Sequence, residues 1–197
     1  DQFLADVLPA TMKYHEYLKK YRDPENCGLL TVVHPWESGT DNSPRWDSSY
    51  MHVSLDDIPQ SVKDDVNANR SDDKLGKAAH RPTQEDYYRF MGLADAFSRM
   101  DWDYEKIVKQ SPFAVKDILF TSVWARANDA LADTLVAAGR PDEATKYRAW
   151  ADQSKQALAA TWNEDAQQYC DIDVAQGRHE QIIEPTNAMF MPLYAGA

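Results

Sequence analysis

Two long helical patterns joined by three residues constrain the fold more than anything else in this chain. From Ala114 to Ala138 apolar residues recur at Val115, Ile118, Leu119, Val123, Ala127, Ala130 and Leu131, and Gly139 follows as a C-terminal stop. Pro141 opens a second helix, because a missing N–H costs nothing in a helix's first turn. Ala144, Tyr147, Trp150, Ala151, Ala157 and Leu158 predict its inward side, with an end near Trp162. A link as short as Gly139-Arg140-Pro141 makes the pair pack antiparallel as a helical hairpin. The fold class expected is therefore all-α.

The rest of the chain reads the same way. Gln2 to Tyr21 has a roughly helical period, with Pro9 as a start or kink. Thr83 followed by Asp86 resembles a capping box that opens a helix to about Met100. Leu29 to Val33 and Tyr169 to Asp173 are short extended runs. Residues 54–74 are polar and acidic with little periodicity, and predict a long excursion over the surface. Asn187, Met189, Phe190 and Leu193 predict the beginning of one more helix.

Composition narrows the function classes. With 197 residues and 43% hydrophobic content the chain can bury one sizeable core. A net charge of −11 repels a polyanion, so no nucleic-acid partner is expected. No apolar run approaches membrane-spanning length, and no secretory leader opens the chain at Asp1-Gln2-Phe3. Cys27 and Cys170 have no motif spacing, which predicts two free thiols and a cytoplasmic location. No cluster has metal-ligand spacing, so neither a metal nor a cofactor is expected. Asn69-Arg70-Ser71 is a formal glycosylation sequon without meaning in that compartment.

The chemistry concentrates in His34-Pro35-Trp36-Glu37-Ser38-Gly39-Thr40-Asp41-Asn42-Ser43-Pro44-Arg45-Trp46-Asp47. Two prolines and a glycine exclude a regular helix or a central strand. A loop that holds acids beside aromatic faces suits carbohydrate cleavage: a proton donor for the glycosidic oxygen, and flat apolar platforms for a sugar ring. Bland readings stand beside this one. Asp41 could cap a turn, Trp36 and Trp46 could be core aromatics, and Gly39 could serve a tight turn or a close approach of substrate. Trp36 is favoured as a sugar wall, and Trp46 stays open between wall and core. His34 reads as a structural hydrogen-bonder.

This loop resembles the hallmark loop of glycoside hydrolase family 63, in the branch of mannosylglycerate and glucosylglycerate hydrolases. It is more distantly similar to the Glu-Ser-Gly loop of trehalases. Further segments match in register: Arg81-Pro82-Thr83 with Tyr87-Tyr88, the run from Phe113 to Leu131, Trp162-Asn163-Glu164 to Tyr169, and Met191-Pro192-Leu193. The resemblance implies an (α/α)6 barrel, a toroid of antiparallel helical hairpins, and inverting hydrolysis of an α-glycosidic bond. It implies that residues 1–197 are a fragment of one catalytic domain that lacks N-terminal and C-terminal portions. The uncapped ending Tyr194-Ala195-Gly196-Ala197 agrees with a fragment.

In such relatives the aspartate after Ser-Gly-x is the general acid, which falls on Asp41. Glu37 and Asp47 are near enough in sequence to help it keep its proton. An arginine and a tyrosine hold the carboxylate of the glycerate, roles that fall on Arg81 and Tyr87. The general base lies later in those proteins and has no match here. Glu184 is a late acid in a suggestive place, but loop glutamates are usually just solvated. The partner expected is a small carbohydrate substrate, with no membrane partner, while the oligomeric state is not legible. A partial barrel should also expose apolar helix faces and self-associate.

A different class competes. Ala138-Gly139-Arg140-Pro141-Asp142-Glu143-Ala144 resembles the turn of tetratricopeptide-like binding scaffolds, but no second copy occurs at their repeat distance. A sugar-binding helical protein without catalysis is the other alternative.

Overall fold

Secondary structure follows the helical reading with short extended pieces between. In the computed structural model, residues 2–71 and 81–197 are described. In chain order the elements are helix α1 (Gln2–Arg22), strand β1 (Thr31–Val32), and helices α2 (Asp47–Tyr50), α3 (Gln60–Asn69), α4 (Gln84–Arg99) and α5 (Tyr104–Gln110). Then come β2 (Val115–Lys116), α6 (Ile118–Ala137), α7 (Pro141–Ala159), β3 (Trp162–Asn163), β4 (Gln168–Tyr169), β5 (Asp171–Asp173), β6 (Glu180–Ile182) and α8 (Met191–Ala195). Strands β1, β2, β5 and β6 form a sheet in that order. β3 pairs antiparallel with β4, Trp162 opposite Tyr169.

The chain divides into two units. The first comprises residues 1–31, 116–172 and 181–197, and it holds the predicted hairpin of α6 and α7. Its interior packs Leu8 of α1 with Leu131, Ala132 and Leu135 of α6 and Ala144 and Tyr147 of α7. A second cluster joins Leu18, Leu30 and Trp124. α6 starts at Ile118, four residues later than the periodicity suggests. The buried Asp117 carboxylate accepts the N–H groups of Leu119 and Phe120, capping the helix there. Its buried stripe runs through Ile118, Thr121, Ser122, Ala125, Asn128, Ala132 and Leu135, whereas Val123 is exposed. Pro9 falls inside α1 and not at its start.

The second unit comprises residues 32–115 and 173–180. Its framework is α4, which begins at the predicted capping box: Thr83 Oγ1 accepts the Asp86 N–H, and the Asp86 carboxylate accepts the Thr83 N–H. Phe90, Leu93 and Phe97 form its buried side. The stretch expected as a surface excursion contains a 3-10 turn at Leu55–Asp57 and the helix α3, which packs on α4. Ile58 and Val66 are the buried contacts of that stretch, too widely spaced to show as a period. The last residues of the predicted excursion, 72–74, lie outside the described residues. α5 has no counterpart in the sequence reading. Among the described residues, no helix is long and apolar enough to cross a membrane.

Candidate active site

The candidate loop is two 3-10 turns, Pro35–Ser38 and Pro44–Trp46, each opened by its proline. Their spacing along the chain is held by polar contacts to a single residue. Thr40 O accepts the indole N–H of Trp46 at 2.8 Å, Thr40 Oγ1 accepts from Arg45 Nη2 at 3.1 Å, and the Thr40 N–H donates to Ser38 Oγ at 3.0 Å. The Arg45 guanidinium lies 3.8 Å from the centre of the Trp46 ring, and both residues are buried. Trp46 is thus a core residue that clamps the loop. Gly39 ends the first turn at φ 68°, in the left-handed region, with nothing within 4 Å of where a Cβ would stand. The turn itself explains the glycine.

Asp41 follows directly on Thr40 and is half-buried. Among the described residues its side chain has no hydrogen-bond partner, and it lies near the ring of His34, whose protonated form it favours. The His34 ring is nevertheless held neutral. Burial lowers its pKa, outweighing the bond to Phe90 and the nearby Asp41. Glu37 turns back on its own segment, accepting the Val33 N–H at 2.8 Å, and Asp47 is an exposed residue at the start of α2.

Trp36 stands out of the loop, 45% exposed, packed at its base on the rings of His34 and Phe90. It forms a wall of two hollows. One, of about 290 Å³, is lined by Trp36, the last turn of α3 with Arg70 and Ser71 after it, Arg81, Tyr87 and Met91. Here Arg81 Nη2 donates to the Tyr87 hydroxyl oxygen at 3.2 Å. Arg70 lies 4.6 Å from the Tyr87 ring centre and donates to Gln84 Oε1 and to the Pro82 carbonyl, at 2.8 and 2.9 Å. Among the described residues the lining holds two guanidinium groups, of Arg70 and Arg81, and one carboxylate, of Asp65. The other, of about 310 Å³, is apolar and aromatic, lined by His34, Trp36, Glu37, Phe97, Trp102 and Tyr104 among others.

Of the residues singled out from the sequence, Trp36, Arg81 and Tyr87 meet on one hollow. Gly39 and Asp41 belong to the same loop as Trp36 but line neither hollow. Arg70 escaped the sequence reading because it lies on the stretch taken for an excursion, where its only signal was the sequon. Among the described residues, no cluster of three or more His, Cys, Asp or Glu is placed to hold a metal ion.

Comparison with known proteins identifies the family. The family profile of the mannosylglycerate hydrolase MGH1-like glycoside hydrolase domain matches residues 1–197. A mannosylglycerate hydrolase of Thermus thermophilus is 36% identical over 190 residues, which are 96% of this chain and 43% of that protein. Mannosylglycerate hydrolase MGH1 of Selaginella moellendorffii is 32% identical over 190 residues, 96% of this chain and 37% of the relative. The chain therefore spans about two fifths of the length of the curated relatives it matches. The crystal structure of a GH63 mannosylglycerate hydrolase from Thermus thermophilus in complex with glucose superposes with a TM-score of 0.82 at 35% identity, over 99% of this chain and 43% of that one. In fold class the mostly helical chain is part of an (α/α) barrel, as the family resemblance implies.

Proposed function

Because the chain belongs to the mannosylglycerate hydrolase MGH1-like glycoside hydrolase domain family, we propose that it is the part of an inverting α-glycosidase that carries the acid and the acceptor site. The substrate is a small glycoside of an acidic aglycone, such as glucosylglycerate or mannosylglycerate. The observation that carries this reading is the Arg81–Tyr87 contact on a hollow walled by Trp36. A guanidinium fork with a phenol beside it binds a carboxylate, and an exposed indole presents a face to sugar C–H groups.

In this mechanism Asp41 gives its proton to the departing glycosidic oxygen while a water attacks the anomeric carbon from the opposite side. That water needs a carboxylate base about 6.5–9.5 Å from the acid. The base is assigned to the portion of the protein outside these 197 residues, within the same (α/α)6 catalytic domain. The pinned Thr40 backbone limits how far Asp41 can wander, which matters because a proton donor must sit within hydrogen-bond reach of its oxygen.

The test uses the full-length protein. Asp41→Asn should lower kcat by about 10²–10⁴-fold on glucosylglycerate or mannosylglycerate. Arg81→Ala should raise KM for these acidic glycosides far more than for a glycoside with a neutral aglycone of similar size. Undiminished turnover by Asp41→Asn refutes the acid; an equal effect of Arg81→Ala on both glycosides refutes the carboxylate site.

A further inference from the structure

In the first unit a lysine, a cysteine and a glutamate meet. Lys116 is 6% exposed. Its ammonium donates to Glu25 Oε2 at 2.6 Å and to Cys27 Sγ at 2.8 Å. The cysteine is exposed, so small reagents reach it.

The sulfur is also held in place. Cys27 sits between Asn26 at φ 53° and Gly28 at φ 89°, a tight reversal after α1. The buried Asp23 carboxylate accepts the N–H groups of Cys27 and Gly28, at 2.7 and 3.0 Å, and is itself paired with Lys19 at 2.6 Å. Gln153 donates to the Asn26 carbonyl and Ser154 to the Gly28 carbonyl. Burial opposes the charge on Lys116, but its bonds to Cys27 and Glu25, and their negative charge, keep its pKa above the ordinary lysine value. The thiolate is the form of a cysteine that attacks peroxides, and the ammonium 2.8 Å from the sulfur is placed to give a proton to the oxygen that leaves.

We propose that Cys27 and Lys116 form a redox pair that hydrogen peroxide closes into a sulfur–nitrogen bond. In the first step the Cys27 thiolate attacks one peroxide oxygen. The S–O bond forms, the O–O bond breaks, and the departing hydroxide takes a proton from the Lys116 ammonium to leave as water. Sulfur is oxidised by two electrons to the sulfenic acid and the peroxide is reduced. This leaves a neutral amine beside the sulfenic acid. In the second step the Lys116 nitrogen attacks that sulfur and expels a second water, giving a sulfenamide. The sum is thiolate, ammonium and peroxide in, sulfenamide and two waters out. A thiol reductant reverses it by attacking the sulfur and releasing the amine.

The experiment is mass spectrometry of the reduced full-length protein after exposure to hydrogen peroxide. The expected product joins the peptides of Cys27 and Lys116, lighter by two hydrogen atoms than their sum and separated again by dithiothreitol. Cys170 is the internal control: buried, with its thiol pKa pushed up by that burial, it should stay unmodified. Lys116→Arg keeps a cation without a nucleophilic amine, so Cys27 should stop at a sulfenic acid that dimedone traps. Lys116→Gln should slow Cys27 oxidation on the order of tenfold. The proposal is overturned if the natural protein accumulates dimedone-reactive Cys27 without the joined peptide. It is equally overturned if Cys27 oxidises no faster than Cys170 or than in Lys116→Gln.

Discussion

The His34 ring sits between two backbone groups that favour its neutral form. Nε2–H donates to the Phe90 carbonyl at 3.0 Å, and Nδ1 accepts the Trp36 N–H at 3.1 Å. A second proton on the ring would put two donors face to face at Nδ1. His34 therefore fixes the base of Trp36 and acts as the structural hydrogen-bonder its sequence setting suggested. His34→Ala leaves the Trp36 N–H and the Phe90 carbonyl without these bonds, and should destabilise the protein by about 1–3 kcal/mol in urea unfolding. An unchanged midpoint would mean that water replaces the ring at no cost. Trp46 shows the opposite situation. From the sequence it was as much a sugar wall as a core residue, and only its complete burial decides for the core.

Among the elements, α3 and α4 show how a stretch without periodicity becomes ordered. Ile58, just before α3, is buried against α4 at Gly92, where an added Cβ would stand 2.8 Å from Ile58 Cγ1. The glycine is required by close approach, since its φ is ordinary. Gly92→Ala should lower stability by about 1–3 kcal/mol, the usual cost of overpacking. In an Ile58→Ala background the same change should cost clearly less, because the clashing atoms are gone. Additive losses in thermal melts of the four proteins would refute this contact. α6 fails to show its buried face for a different reason. It carries apolar residues on its exposed side and polar Thr121, Ser122 and Asn128 on its buried side, so hydrophobicity does not tell the buried Trp124 from the exposed Val123.

On the scale of the whole molecule, two histidines make stability depend on pH. Burial lowers the pKa of His15, more than its bond to Asn128 raises it, and burial lowers that of His34 likewise. In the unfolded chain both rings protonate near the ordinary value of 6.5. As pH falls through that value the unfolded state gains protons that the native state does not yet bind. Stability is thus full above 6.5, declines below it, and levels only once the folded rings titrate. Each ring adds at most about 1.4 kcal/mol per pH unit to that decline. Urea midpoints measured between pH 8 and pH 5 should show it, and a flat profile would mean that neither ring is held neutral. Apolar side chains also stay exposed in the first unit, Phe3, Phe190, Leu193 and Tyr194 among them.

The sequence by itself determined the helical hairpin, the capping box of α4, the loop character of residues 34–47 and the family. Each of these rests on neighbours in the chain: a proline's missing N–H, a threonine three residues before an aspartate, a glycine at positive φ. Tertiary structure alone decided that Trp46 belongs to the core, that Arg70 joins Arg81 and Tyr87 on a hollow beside Trp36, and that Lys116 meets Cys27. Those contacts join residues far apart in sequence. No local propensity encodes them, because they exist only once packing has chosen which sides of the helices are covered.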